Sequence, residues 1–111
     1  MVIYMNSNTP LVCNMGVFTP AQSDSHIQTT TQLIQAVQSV HEVKNGYEFT
    51  FPNETEFISR IAEFISNERL CCPFLQFRLN VLANNEPISL LLTGPMGTQE
   101  FLRAEFDGAI P

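Results

Sequence analysis

The sequence has little positive charge and no tryptophan. Its 111 residues include five Lys and Arg against eleven Asp and Glu, for a formal net charge of −6. Such a field repels phosphate backbones, so we predict that the protein does not bind nucleic acid. Hydrophobic residues nonetheless make up 44% of the chain, which is enough to fold around a core and excludes a disordered protein.

Long apolar runs are also missing. No run approaches the roughly 20 residues that span a bilayer, and residues 1–5 lack the basic region of a signal peptide. We therefore expect a cytoplasmic protein that does not enter a membrane. The polar, turn-rich residues 6–10 predict that residues 1–10 form a flexible arm and residues 11–111 a single domain.

Cysteine is scarce, and the signatures of common enzymes are absent. The three cysteines lack the spacing of a disulfide framework, so in a reducing compartment they are predicted to be thiols or metal ligands. The chain has no serine nucleophile elbow, no His-Glu-x-x-His pair and no acidic calcium loop. An enzymatic function therefore has little support.

The first half of the chain predicts a helix followed by a hairpin. Thr19, Pro20 and Gln22 form a capping-box pattern, which predicts a helix over about 20–40 with His41 near its C-terminal end. Residues 44–46 supply a tight turn. The expected inward stripe of this helix consists of His26, Ile27, Thr30, Leu33, Ile34, Val37 and Val40.

The hairpin of this first unit ends in a strand over residues 47–51, which shows alternating apolar residues. The second half repeats the helix and hairpin, and Asn53 is the predicted N-cap of a helix that runs to about Leu70. Pro73 ends this helix. Strands follow over residues 75–81 and 88–92, and a last helix carries Phe101, Leu102 and Phe106.

This order predicts an α+β fold, a two-layer sandwich in which helices cover one face of a four-stranded antiparallel sheet in the order α-β-β-α-β-β-α. The other face is open to water or to a partner, so a homodimer is a further expectation. The residues predicted on the open face are Glu48, Thr50, Gln76, Arg78, Asn80, Ser89, Leu91 and Thr93.

The most unusual chemistry of the chain lies around its adjacent cysteines. Glu68 precedes Cys71 and Cys72 by three and four residues, so one helical turn gathers a carboxylate and two sulfurs. With Cys13 or His26 added, this set predicts a site for zinc or another soft divalent or monovalent metal.

Two other interpretations of these residues stay open. In the first, the cysteines pack in the core of an interaction or dimerisation module, since adjacent side chains are expected to diverge. Glu68 would then pair with Arg69, Arg78 or a backbone amide. In the second, the protein is a redox-responsive thiol protein, although a helix C-terminus and a nearby Glu disfavour the thiolate, and a Cys71–Cys72 disulfide would close a strained ring.

Two motifs carry a resemblance to a known family. They are E-R-x-C-C-P-F-L-x-F, starting at Glu68, and G-P-x-G-x-x-E-F-L, starting at Gly94. A chain with both motifs resembles a family of small, uncharacterised bacterial proteins, and the similarity takes in Cys13, His26 and residues 46–47. The resemblance implies this fold, a bacterial cytosolic setting and a candidate site around Cys13, Glu68, Cys71 and Cys72, but it implies no reaction.

Overall fold

A computed structural model of the protein describes residues 3–4 and 10–110. A short antiparallel ladder joins β1 (Ile3–Tyr4) to β2 (Pro10–Leu11). The remainder of the predicted arm, residues 1–2 and 5–9, lies outside the described residues. Leu11 is fully buried and leads through a 3-10 turn (Met15–Val17) into the first helix.

The predicted fold class is confirmed. The main elements are α1 (Pro20–Ala36), β3 (Ser39–Val43), β4 (Gly46–Phe51), α2 (Thr55–Cys71), β5 (Gln76–Asn80), β6 (Ile88–Thr93) and α3 (Thr98–Glu105). The strands form one antiparallel sheet in the order β3-β4-β6-β5. The core between the helices and this sheet is rich in Phe and Leu from β4, β6, α2 and α3.

The start of α1 follows the predicted capping box. The Thr19 hydroxyl accepts from the Gln22 N–H at 3.2 Å, and the Gln22 side chain accepts from the Thr19 N–H at 2.9 Å. The predicted end of this helix was wrong, because α1 stops at Ala36 and Val37 is already extended. His41 and Val40 therefore belong to β3, where pairing with β4 satisfies the backbone of the segment.

Two local predictions need correction. Ile27 is 53% exposed and so lies off the buried stripe of α1. Glu54, not Asn53, is the N-cap of α2, since the Asn53 side chain instead donates to the Glu86 carbonyl at 2.8 Å. Ser89 lies on the open face as predicted, opposite Thr50, but it is only 7% exposed and its hydroxyl donates to Glu48 at 2.8 Å.

Helix α2 carries the candidate site at the end of its buried stripe. Ile61, Phe64, Glu68 and Cys71 are its buried residues, at spacings of three and four that place them on one side of the helix. The helix closes with a hydrogen bond of 2.7 Å from the Cys72 N–H to the Glu68 carbonyl. Burial of a carboxylate on this stripe is costly unless it is paired, so Glu68 needs partners from other elements.

Candidate metal centre

The N-terminal segment reaches the end of α2 and brings a third sulfur to it. The Asn14 N–H donates to the Cys71 carbonyl at 2.7 Å, which seats the preceding residue beside the cysteine pair. Cys13 and Cys72 are joined by a disulfide, and Cys71 is the free thiol. The prediction that the cysteines are thiols or metal ligands rather than disulfides was therefore wrong for two of the three.

The adjacent cysteine side chains do not diverge, contrary to expectation. Cys71 ends α2, whereas Cys72 leaves the helical conformation with φ −123° and ψ 72°. This change of backbone direction brings the Cys71 and Cys72 sulfurs to 3.7 Å. Both residues are completely buried, while Cys13 is partly exposed.

Glu68 and His26 form a buried pair at the centre of the site. His26 Nε2 lies 2.8 Å from Glu68 Oε1, and the two residues are 3% and 1% exposed. His26 packs against two aromatic rings, Phe18 at 5.5 Å and Phe64 at 5.7 Å between centroids. Glu68 was expected to pair with Arg69, Arg78 or a backbone amide. In the structure its partner is instead His26, which lies on α1.

The Cys71 thiol is kept protonated. Its sulfur is 3.3 Å from Glu68 Oε1, the nearest of its acceptors, so the thiol hydrogen points to the carboxylate. Burial, followed by the negative charge of Glu68, raises the pKa of Cys71 far above the ordinary value for a thiol. Cys71 is therefore a poor nucleophile in the oxidised protein.

Sequence reasoning missed Glu105, at the C-terminal end of α3. Its Oε2 is 3.6 Å from Cys13 Sγ. Burial, followed by interactions with Glu68, raises the pKa of Glu105 to about 10. Cys13 Sγ belongs to the disulfide and carries no hydrogen. Of Cys13 and Glu105, only a protonated Glu105 can therefore donate a hydrogen bond.

The two carboxyl groups titrate in opposite directions. Burial alone would raise the pKa of Glu68, but hydrogen bonds from His26 and from the Glu105 carboxyl outweigh it and hold that pKa below its usual value. The pair therefore shares one negative charge, which resides on Glu68. His26 Nδ1 is buried without a hydrogen-bond partner among residues 10–110.

These pKa shifts predict how a Glu105→Gln substitution changes stability with pH. The pKa of Glu105 rises from 4.5 in the unfolded chain to about 10 in the native state, so the native state keeps a proton that the unfolded chain releases. Its contribution is complete below pH 4.5 and is lost as the pH rises toward 10. Glutamine carries no such proton, so its stability advantage over Glu105 should grow by about 3 kcal/mol between pH 6 and pH 8, or about 1.4 kcal/mol for each pH unit.

Urea unfolding at several pH values measures this difference. Glu100→Gln is the matched control, because Glu100 is exposed on the same helix and should show no growing advantage. Parallel pH profiles for wild type and Glu105→Gln would show that Glu105 ionises normally in the native protein.

Four of the five predicted ligand residues meet within one small volume. The ligand atoms of Cys13, Glu68, Cys71 and Cys72 all lie within 4.8 Å of one another. His26, the fifth, binds Glu68 and stands behind it rather than among the sulfurs. In a tetrahedral zinc site with Zn–S bonds of about 2.3 Å, neighbouring sulfurs are about 3.8 Å apart, which is close to the Cys71–Cys72 distance.

A cleft leads from the surface to this cluster. Its volume is about 350 Å³, and its lining includes Cys13, Met15, Ile34, Glu68 and Glu105. A second cleft of about 220 Å³ approaches Cys13 and Glu105 from the side of Phe101 and Ala104. Of the three cysteines, Cys13 alone lines these clefts.

None of the helices in the described part of the chain is long and apolar enough to span a membrane. No protein-family model, no curated protein and no solved structure matches the chain. The resemblance to small bacterial proteins and the cytosolic setting therefore stay predictions. The proposed function rests on the geometry of the site.

Proposed function

We propose that the reduced protein binds one soft or borderline divalent metal ion, such as zinc or cadmium, through Cys13, Cys71, Cys72 and Glu68. The convergence of three sulfurs and one carboxylate oxygen within 4.8 Å carries this proposal. Thiolate sulfur selects zinc and softer ions over magnesium or calcium. The packing interpretation is less well supported, since cysteines that only fill a core have no reason to meet at one point with a carboxylate.

Glu68 has one oxygen that neither His26 nor Cys71 contacts. His26 and Cys71 both contact its Oε1, and the Glu105 carboxyl is the remaining hydrogen-bond donor to this carboxylate. A buried carboxylate charge costs free energy, and coordination of a cation would offset that cost. His26 would orient the carboxylate from behind, as outer partners of metal ligands do.

The disulfide defines the oxidised, metal-free form. In that form Cys13 and Cys72 cannot act as thiolate ligands, so metal binding requires reduction first. The same bond favours a second candidate function, a redox-responsive thiol protein in which the dithiol–disulfide change is itself the signal. Homodimerisation through the open sheet face stays a separate prediction.

A cadmium titration tests the metal proposal. The protein is reduced, freed of reductant under anaerobic conditions and titrated while the thiolate-to-cadmium charge-transfer absorption is recorded. We expect saturation at one ion per chain, with an intensity that corresponds to three thiolates, and no such signal from the oxidised protein. A reduced protein without saturable absorption would leave the redox-responsive function as the better account.

A further inference from the structure

We propose that the Cys13–Cys72 disulfide is opened from the larger cleft, by an uncharged aliphatic dithiol that attacks Cys13. This inference concerns the regulation of the proposed metal site, since it identifies what produces the metal-binding form. Its chemistry depends on the disulfide alone and can be tested without metal.

Accessibility determines which sulfur is attacked. Cys72 is completely buried, so an external thiol cannot approach it, whereas Cys13 is partly exposed and lines both clefts. The internal route is closed as well, although Cys71 Sγ lies 3.7 Å from Cys72 Sγ, because the Cys71 hydrogen is directed at Glu68 Oε1. Attack on Cys13 with departure of the Cys72 sulfur is the remaining route.

The walls of the larger cleft favour a reductant with an aliphatic chain. Met15, Ile27 and Ile34 give the larger cleft aliphatic sides, and its 350 Å³ equals the liquid volume of about a dozen water molecules. An aliphatic chain placed there gains about 0.8 kcal/mol for each methylene that leaves water. Ile27, which is 53% exposed and off the core-facing stripe, acquires a role as part of this wall.

The polar end of the cleft selects against negative charge. Glu68 and Glu105 lie at that end, and no Lys or Arg is among the described residues that line it. The chain as a whole carries a net charge of −6. An uncharged thiol brings a hydrogen-bond donor toward Glu68, whereas a carboxylate-bearing thiol adds like charge to a poorly solvated region.

The reaction balances without a further reactant. The first thiol of the dithiol attacks Cys13 Sγ, which forms a mixed disulfide, breaks the Cys13–Cys72 bond and transfers the thiol proton to the departing Cys72 sulfur. The second thiol then attacks the reductant's own sulfur in the mixed disulfide. Cys13 leaves and takes that proton, and the dithiol ends as a cyclic disulfide.

A dithiol is favoured over a monothiol for a geometric reason. The departing Cys72 sulfur stays beside Cys13 because the Asn14–Cys71 hydrogen bond still holds the two segments together. Cys72 can therefore attack the mixed disulfide and restore the native bond. A second thiol within the same molecule competes with this reversal because its effective concentration is high.

The test compares butanedithiol, which is uncharged and aliphatic, with the dianionic 2,5-dimercaptoadipate, which has the same four-carbon chain between its sulfurs and also closes to a six-membered cyclic disulfide. Reduction rates of the native protein are divided by rates for the same protein in urea, which removes differences in intrinsic reactivity. We expect this ratio to be about tenfold higher for butanedithiol, which corresponds to about 1.4 kcal/mol against the two carboxylates. Equal ratios for the two dithiols would overturn the proposed selectivity.

Two further measurements test whether the reductant enters through the larger cleft and which sulfur it attacks. Thr31→Trp narrows the cleft from α1 and should slow butanedithiol about tenfold, whereas Gln35→Trp, exposed on the same helix and absent from the cleft lining, should not. Peptide mapping after butanethiol treatment with rapid alkylation should find the adduct on Cys13 and the alkyl group on Cys72. An adduct on Cys72, or equal slowing by both tryptophans, would overturn the proposal while leaving metal binding by the reduced protein intact.

Discussion

Reduction of the Cys13–Cys72 disulfide is expected to lower the free energy of unfolding by about 4 kcal/mol, because the bond closes a loop with a sequence separation of 59 residues. That loop contains α1, β3, β4 and α2, so the bond restricts more than half of the unfolded chain. A domain of this size is stable by only about 5–15 kcal/mol, so the loss is a large fraction of the total. Urea unfolding with and without reductant measures it.

Cys13→Ser separates this loss from other effects of the reductant. Cys13 is partly exposed, so serine should fit there with little direct cost, and the variant should unfold as the reduced wild type does. Reductant should then have no further effect on the variant. Wild-type protein with the same urea midpoint in both conditions would show that the disulfide contributes nothing to stability.

Cys71→Ser is expected to weaken cadmium binding by the reduced protein more than about 100-fold, since the loss of a ligand should exceed the 10- to 100-fold effect of losing an outer partner. The serine hydroxyl keeps a donor for Glu68 Oε1, which now accepts from the Cys71 thiol at 3.3 Å. The Cys13–Cys72 bond is retained. The variant should therefore lose metal affinity and still show the full drop in stability on reduction.

This contrast divides the roles of the three cysteines. Cys13→Ser removes the disulfide and one metal ligand together, whereas Cys71→Ser removes the ligand alone. Competition against a chromophoric chelator gives the two affinities, and Leu70→Ser, at an exposed neighbouring position, is the control. Unchanged cadmium affinity in Cys71→Ser would exclude this thiol from the coordination sphere.

The local patterns in the sequence predicted the architecture because they depend on neighbouring residues. The capping box at Thr19 and the alternation over residues 47–51 each describe one element, and both are present in the structure. The segment over residues 39–43 was harder, because its strand conformation is set by pairing with β4 rather than by its own composition. The helix was therefore extended too far, and His41 was placed on the wrong element.

The candidate site was predicted in part for the same reason. Glu68, Cys71 and Cys72 lie within one turn, so their proximity follows from helix geometry. Cys13 pairs with a residue 59 positions away, and nothing local specifies that contact. Glu105 did have a signal, since it follows the buried Phe101 and Leu102 by four and three residues and so shares their side of α3.

Native mass spectrometry of the oxidised and reduced protein, each incubated with zinc, tests the central claim most directly. The account predicts one zinc ion on the reduced chain, and a metal-free oxidised chain whose mass is lower by the two hydrogens of the disulfide. A reduced chain that stays metal-free, or an oxidised chain that takes up zinc equally well, would contradict a metal centre built from these three sulfurs and Glu68.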